Sequence, residues 1–143
     1  MVLSWAAGKL VGWLFGRLNA GDIRPVLLMD APEMEMTFPG SSSWGQVYRG
    51  KEKHRQFLER LVAIKLQHNP SEVVAVGPPW RMTVCTRGID HLDAPDGERI
   101  YENRYVLWAH LRWGRIHSYE VYEDTEKTLV LDAWLEQQSA AAV

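Results

Sequence analysis

Cysteine is nearly absent from this chain. Cys85 stands alone, so no disulfide can form within the chain, and a reducing, cytoplasmic setting is expected. An excess of either charge is also missing. Sixteen Lys and Arg against 18 Asp and Glu leave a net charge of −2, which gives no electrostatic reason to expect nucleic acid as a partner. No stretch reaches the roughly 18 apolar residues that a spanning helix needs. The apolar start, Val2 to Leu18, is interrupted by Lys9 and Arg17 and lacks an A-x-A cleavage site. It reads as an amphipathic helix covering a core. A membrane-surface anchor is the competing reading, and a polar face poor in Lys and Arg speaks against it. HExxH, paired CxxC and His–carboxylate clusters are missing, so no metal is expected. Neither a Gly-rich phosphate loop nor G-x-S-x-G occurs, and no cofactor is implied.

What remains is 143 residues, 46% hydrophobic and 24% charged. That fits a single domain, residues 1–143, able to hold a core without staples. Seven tryptophans suit either aromatic walls around something apolar or a bulky core. The first helix stops at Asn19-Ala20-Gly21-Asp22, and Asp22 caps a short second helix reaching Met29. Met34, Met36 and Phe38 alternate with polar residues as in a half-buried strand. Pro39 to Ser43 reads as loop, which leaves Trp44 and Tyr48 in the connection to a third helix, Lys51 to Gln67. From Glu72 to Glu123 everything reads as strand. Pro78-Pro79, Ala94-Pro95-Asp96-Gly97 and Trp113-Gly114 are its breaks. A short terminal helix capped by Asp124 or Thr125 reaches Leu135, and residues 139–143 are expected to fray. The order predicts an α+β fold, a curved antiparallel sheet with about three helices on one side.

Several segments carry a family likeness: Leu18 to Asp22, Phe38-Pro39-Gly40, Trp44 to Gly50, Tyr101 to Tyr105, and Trp113 to Ile116 followed by Tyr122 to Thr125. In this order they resemble the NTF2-like superfamily, specifically its SnoaL-like branch. The resemblance implies a cone-shaped fold, a deep pocket and a homodimer. Relatives of this kind include ketosteroid isomerases, limonene epoxide hydrolases and polyketide cyclases. The carboxylates those enzymes use are mostly missing. Phe38 stands at the isomerase base, Trp108 near its acid, and Val121 at the hydrolase acid of the last strand. Ile89 or Asp90 stands at the hydrolase's second carboxylate, with Arg87 or Gly88 at its arginine. Phe, Trp and Val cannot move a proton, so both reactions are disfavoured.

Counting from the two turns pairs His110 with His117, Trp108 with Tyr119, Val106 with Val121 and Arg104 with Glu123. It also joins Cys85 to Trp108 and Arg87 to Val106. The resemblance turns this face inward. The expected pocket is then Phe38, Trp44, Tyr48, Cys85, Arg87, Val106, Trp108 and Val121. His110, His117 and Tyr119 form the proton-handling group, or else lie solvated at a hairpin end. Arg104 and Glu123 make an anion clamp or a rim ion pair. The opposite face, with Met82, Leu107, Leu111, Ile116 and Tyr122, is left as a dimer surface. A bulge would exchange the two faces beyond it. The expectation is a cofactor-free isomerase, dehydratase or cyclase acting on a small apolar molecule. The alternative is a non-catalytic module for ligand binding or dimerisation.

Overall fold

The computed structural model describes residues 2–141. Helix α1 (Val2–Asn19) leads to the short α2 (Arg24–Met29). Strand β1 (Asp30–Phe38) and strand β2 (Gln46–Arg49) form a hairpin before α3 (Lys51–Ala63). Four strands follow: β3 (Gln67–Val76), β4 (Met82–Asp93), β5 (Arg99–Arg112) and β6 (Arg115–Glu123). Helix α4 (Thr125–Ala141) closes the chain. The sheet order is β2-β1-β6-β5-β4-β3. Every pairing is antiparallel except that of β1 with β6, which is parallel. The α+β class is as expected, with one strand, β2, beyond those the sequence suggested and one parallel pairing in a sheet expected to be antiparallel.

Local chemistry explains the departures. Helix α3 stops at Ala63, short of Gln67, because Lys65 turns into the left-handed region at φ 61°, and the chain then enters β3. Pro70 sits inside β3. That is tolerated because β3 is an edge strand and its ladder shifts between Pro70 and Glu72. Strand β2 occupies sequence that reads as loop, since four residues are too few for periodicity to register. The N-cap of α2 is Ile23 and not Asp22, although Asp22, one residue earlier, accepts the Arg24 N–H at 3.1 Å. Helix α4 runs to Ala141, beyond the expected Leu135 and through residues 139–141; residues 142–143 lie outside the described ones.

Long-range polar bonds lock the helical layer to the sheet. The Asn19 amide accepts the His68 N–H and donates to its carbonyl, both at 2.8 Å, tying the end of α1 to the start of β3. The Asn103 amide donates to the Asp124 carbonyl at 2.9 Å and holds the start of α4.

The β4–β5 register matches the turn count: Thr83 with His110, Cys85 with Trp108, Arg87 with Val106, Ile89 with Arg104. The β5–β6 register does not. The type I′-like turn at Trp113-Gly114, with φ of 51° and 75°, pairs Arg112 with Arg115 as counted. A bulge at His117 then intervenes. Leu111 pairs with Ile116, but His110 pairs with Ser118. Beyond it Trp108 faces Glu120, Val106 faces Tyr122, and Tyr105 faces Glu123. The expected pairs His110–His117, Trp108–Tyr119, Val106–Val121 and Arg104–Glu123 are therefore corrected, because one extra residue moves each later side chain to the other face.

The bulge can be tested directly. His117→Ala should cost less than about 1 kcal/mol, since the residue is half-buried and bonded only at the surface. Deleting His117 should remove the bulge and leave Ser118 opposite His110 and Tyr119 opposite Ala109, with Tyr119, Val121 and Glu123 still facing inward, so a cooperative urea transition survives. Deleting Glu120 should instead turn Val121 and Glu123 outward and abolish that transition. A His117 deletion that unfolds the chain while the Glu120 deletion is tolerated would refute the register.

Candidate functional site

The sheet curls around a cavity of about 430 Å³. Its wall is mostly aliphatic and aromatic: α1 contributes Leu10 and Leu14, α3 contributes Phe57 and Leu61, and β5 contributes Leu107 and Leu111. Of the residues expected there, Phe38, Trp44, Tyr119 and Val121 do lie on the wall. Tyr48 is buried behind it against Phe57, with its hydroxyl donating to the Trp44 carbonyl at 2.7 Å. Cys85, Arg87, Val106, Trp108 and His110 lie on the outer face of the sheet, because the strand positions that face the cavity are Val84, Thr86, Leu107 and Ala109. Trp108 is 44% exposed there, and Arg87 pairs with Glu72. His110 lies 3.4 Å from the Thr83 hydroxyl, and His117 turns to Glu33 at 3.2 Å. The proposed His–His pair is therefore not formed. Arg104 and Glu123 lie on opposite faces, so they form neither clamp nor ion pair. Met82, Leu107, Leu111 and Ile116, expected at a dimer surface, instead face the cavity and are covered by the chain's own helices.

Two polar clusters interrupt this wall, and sequence reasoning assembled neither. The first lies where β3, β4, β5 and β6 meet. His68 Nδ1 is 2.7 Å from Asp90 Oδ1, with both side chains about nine-tenths buried. A neutral histidine in this position gives its Nδ1 proton to the carboxylate, which leaves Nε2 as an acceptor. That Nε2 is buried and has no hydrogen-bond partner among the described residues, while the ring stacks on Phe15 at 5.5 Å and lines the cavity. The Tyr105 hydroxyl is likewise buried and unpartnered. Its phenol is pushed above its ordinary pKa, first by burial and then by the Asp90 charge. Its position depends on Gly88, where a Cβ would stand 2.6 Å from the hydroxyl and 2.3 Å from the Asn69 carbonyl oxygen. Glu123 completes the group. Burial first, then the Asp90 and Asp124 charges, lift its carboxyl from 4.5 to about 8, so at neutral pH it is largely protonated.

The second cluster joins β1, α3 and β6. His54 Nδ1 lies 2.5 Å from Asp30 Oδ2, and its Nε2 lies 2.6 Å from the Tyr119 hydroxyl. Asp30 and His54 are wholly enclosed, while Tyr119 reaches the cavity wall. Burial, with the Asp30 charge adding to it, holds the Tyr119 phenol well above its usual pKa, so it stays a neutral hydroxyl. His54 lies on the buried face of α3, and His68 opens β3 rather than following a helix that runs to Gln67, so the expected elements bring neither pair together. Asp30 fell before the expected strand. One legible hint was that Asp90 falls on the face of β4 opposite Arg87. Among the described residues, no three His, Cys, Asp or Glu side chains converge as a metal site.

A curved, unclosed six-stranded sheet with helices over a deep cavity is the NTF2-like fold, and this chain adopts it. No protein-family model matches the chain, and no curated protein matches it in sequence. Solved structures do. An NTF2-like protein of unknown function from Burkholderia pseudomallei is 19% identical, with a TM-score of 0.71 over 87% of this chain and 95% of that one. TerC, crystallised with polyporic acid, is 19% identical, with a TM-score of 0.65 over 84% and 95%. IdmH, a proposed polyketide cyclase from Streptomyces antibioticus, is 17% identical, with a TM-score of 0.64 over 85% and 94%. At such identities the likeness establishes the fold alone.

Glu123 makes stability depend on pH in a defined direction. Unfolded, its carboxyl loses a proton near 4.5; folded, it keeps one until about 8. The folded state binds the extra proton across that window, so stability falls as pH rises through it. At about 1.4 kcal/mol per pH step, allowing for relaxation, Glu123→Gln should be roughly 2–4 kcal/mol more stable than the parent at pH 9 and near parity at pH 4. Urea titrations at the two pH values measure this. Equal stability at pH 9 would mean that Glu123 reaches water.

Proposed function

We propose that this protein binds a small apolar molecule in the cavity and performs proton transfer on it without a cofactor, as a SnoaL-like enzyme. The observation that carries the reading is His68. Its Nε2 is an unpartnered acceptor in a mostly apolar wall, and its Nδ1 is held by Asp90. A buried acceptor without a partner costs stability, on the order of 1–3 kcal/mol, and a ligand proton offsets that cost. In the proposed step, His68 Nε2 takes a proton from a carbon next to a carbonyl while Asp90 steadies the imidazolium. Glu123 holds a proton up to about pH 8 and returns it to the oxygen or to another carbon. One proton leaves and one is delivered, which fits isomerisation, dehydration or cyclisation. In this reading the Tyr105 hydroxyl, buried and unpartnered, donates to the carbonyl oxygen.

The fold relatives lend support of a coarser kind, since one was crystallised with polyporic acid and another is a proposed polyketide cyclase. A homodimer belongs to the same proposal. Its surface moves to the outer face of the sheet, where Trp108 and Tyr122 are 44% and 52% exposed. The competing reading, a binding module without chemistry, draws on the largely apolar wall and predicts ligand affinity without turnover.

Deuterium exchange separates the two. In D2O, 1-tetralone should lose its α-protons, followed by NMR, at least 10-fold faster with the protein than in buffer. His68→Gln should remove most of that excess. Above pH 8 the rate should fall as Glu123 ionises. Binding of tetralone with exchange at the buffer rate would establish the module instead.

A further inference from the structure

The two polar clusters stand at different places along one cavity. Tyr119 and Glu123 are four residues apart on β6 and both line the cavity, which separates them by about 13 Å along the strand. Tyr105, the neighbour of Glu123, and Ala109, the neighbour of Tyr119, mark the same interval on β5. His68, Asp90 and Tyr105 belong with Glu123 at one pole. Tyr119, backed by His54 and Asp30, is the other. Apart from Thr86, beside Leu107 on β4, the wall between them is mostly hydrocarbon, with Val121, Leu107 and Ala109 from the sheet and Leu58 and Leu61 from α3.

Each pole has hydrogen-bonding capacity that the protein does not use. At the first, His68 Nε2 and the Tyr105 hydroxyl have no partner. At the second, the neutral Tyr119 hydroxyl has one proton and two lone pairs, and its bond to His54 occupies only one of these. With the Nδ1 proton held by Asp30, a neutral His54 ring accepts the Tyr119 proton at Nε2, which leaves the phenol oxygen to accept. A doubly protonated ring donates to that oxygen, which frees the Tyr119 proton to donate. A hydroxyl on a ligand satisfies either arrangement. A wholly apolar ligand satisfies neither pole, and a ligand with one polar end satisfies only one of them.

We infer that the cavity selects an elongated, apolar molecule carrying oxygen at both ends, with one end at His68 and Tyr105 and the other at Tyr119. This rests on the ligand-binding reading above but not on the proton transfer. It assigns Tyr119, through His54 and Asp30, as a specificity-determining group for the far end of the ligand, about 13 Å along β6 from the proton-transfer pole.

A rigid, fluorescent set of probes tests it: trans-stilbene, 4-hydroxystilbene and 4,4′-dihydroxystilbene, titrated against the whole protein. Each hydroxyl that finds a pole should tighten binding about 5- to 10-fold, so the diol binds best and the hydrocarbon worst. Tyr119→Phe keeps the ring and removes the oxygen. It should weaken the diol by a similar factor, leave stilbene unchanged, and leave 4-hydroxystilbene nearly unchanged, since that probe can use the other pole. His68→Gln should act on the diol in the same way, and the double variant should bind diol and hydrocarbon about equally. A thermal melt checks that each variant is folded. The inference is overturned if the diol binds no better than stilbene, or if folded Tyr119→Phe weakens all three probes alike. Tetralone exchange that persists in Tyr119→Phe, without a preference for the diol, would sink this inference and leave the His68 reading standing. Loss of exchange in His68→Gln with diol preference absent throughout would do the same.

Discussion

One extra residue in β6 decides what this cavity contains. An antiparallel pair without irregularity keeps the two faces of its strands in step from end to end. Here the ladder slips at His117, between Ile116 opposite Leu111 and Ser118 opposite His110. Because of that slip, Ile116 near the turn and Tyr119, Val121 and Glu123 beyond it all face the helices. Without it, whichever register began at the turn would put either Ile116 or the other three into solvent. The bulge also adds local twist, which helps the sheet curl far enough for β1 to pair with β6 and close the wall. The shape of the cavity and the identity of its polar groups follow from the same residue.

The wall so formed contains groups that a stability argument alone would not place there. A buried His–Asp pair gains little over hydrocarbon of the same volume. The unpartnered His68 Nε2, the Tyr105 hydroxyl and Asp30 Oδ1 each lower stability. Glu123 is held neutral at physiological pH by its surroundings. Where buried polar groups are left unsatisfied or shifted away from their usual ionisation, in a concave site with room for a ligand, function is the explanation with physical content. The apolar majority of the wall raises the stakes, because a low-dielectric surround strengthens whatever hydrogen bond a ligand completes.

The sequence revealed much of the frame and little of the site, for reasons that lie in particular residues. Turn chemistry is local, so Trp113-Gly114 placed the β5–β6 hairpin, and the β4–β5 pairing followed from Met82 opposite Leu111 to Leu92 opposite Tyr101, where the ladder shifts. Helical periodicity found α1 and α3. A bulge has no local signature of this strength. Ile116-His117-Ser118 contains no glycine or proline to announce it. The resemblance turned Tyr119 and Val121 inward, as they are, but counting across an unseen bulge matched them to the wrong face of β5 and β4. His110, Trp108 and Cys85 were placed in the pocket by that count. The polar pairs are harder still to see, because His54–Asp30 and His68–Asp90 join residues 24 and 22 positions apart. No spacing rule connects those positions. Gly88 could have been a clue, since a glycine within a strand often marks a close approach, and here it admits the Tyr105 hydroxyl.

The two pairs are built differently. His54 comes from α3 and Asp30 from β1, so that pair exists only when the helix is docked on the sheet. His68 and Asp90 are cross-strand partners on β3 and β4, so the sheet itself brings them together. Docking α3 through Phe57, Leu58 and Leu61 onto Met34, Met36 and Tyr48 therefore covers the cavity and completes the Tyr119 pole. The His68 pole is completed by the β3–β4 ladder, with the Asn19 amide of α1 holding the His68 backbone. A loosening of α3 would separate His54 from Asp30 and leave His68 on Asp90. One cavity thus carries two hydrogen-bonded groups with separate supports, one held by helix packing and the other by strand pairing.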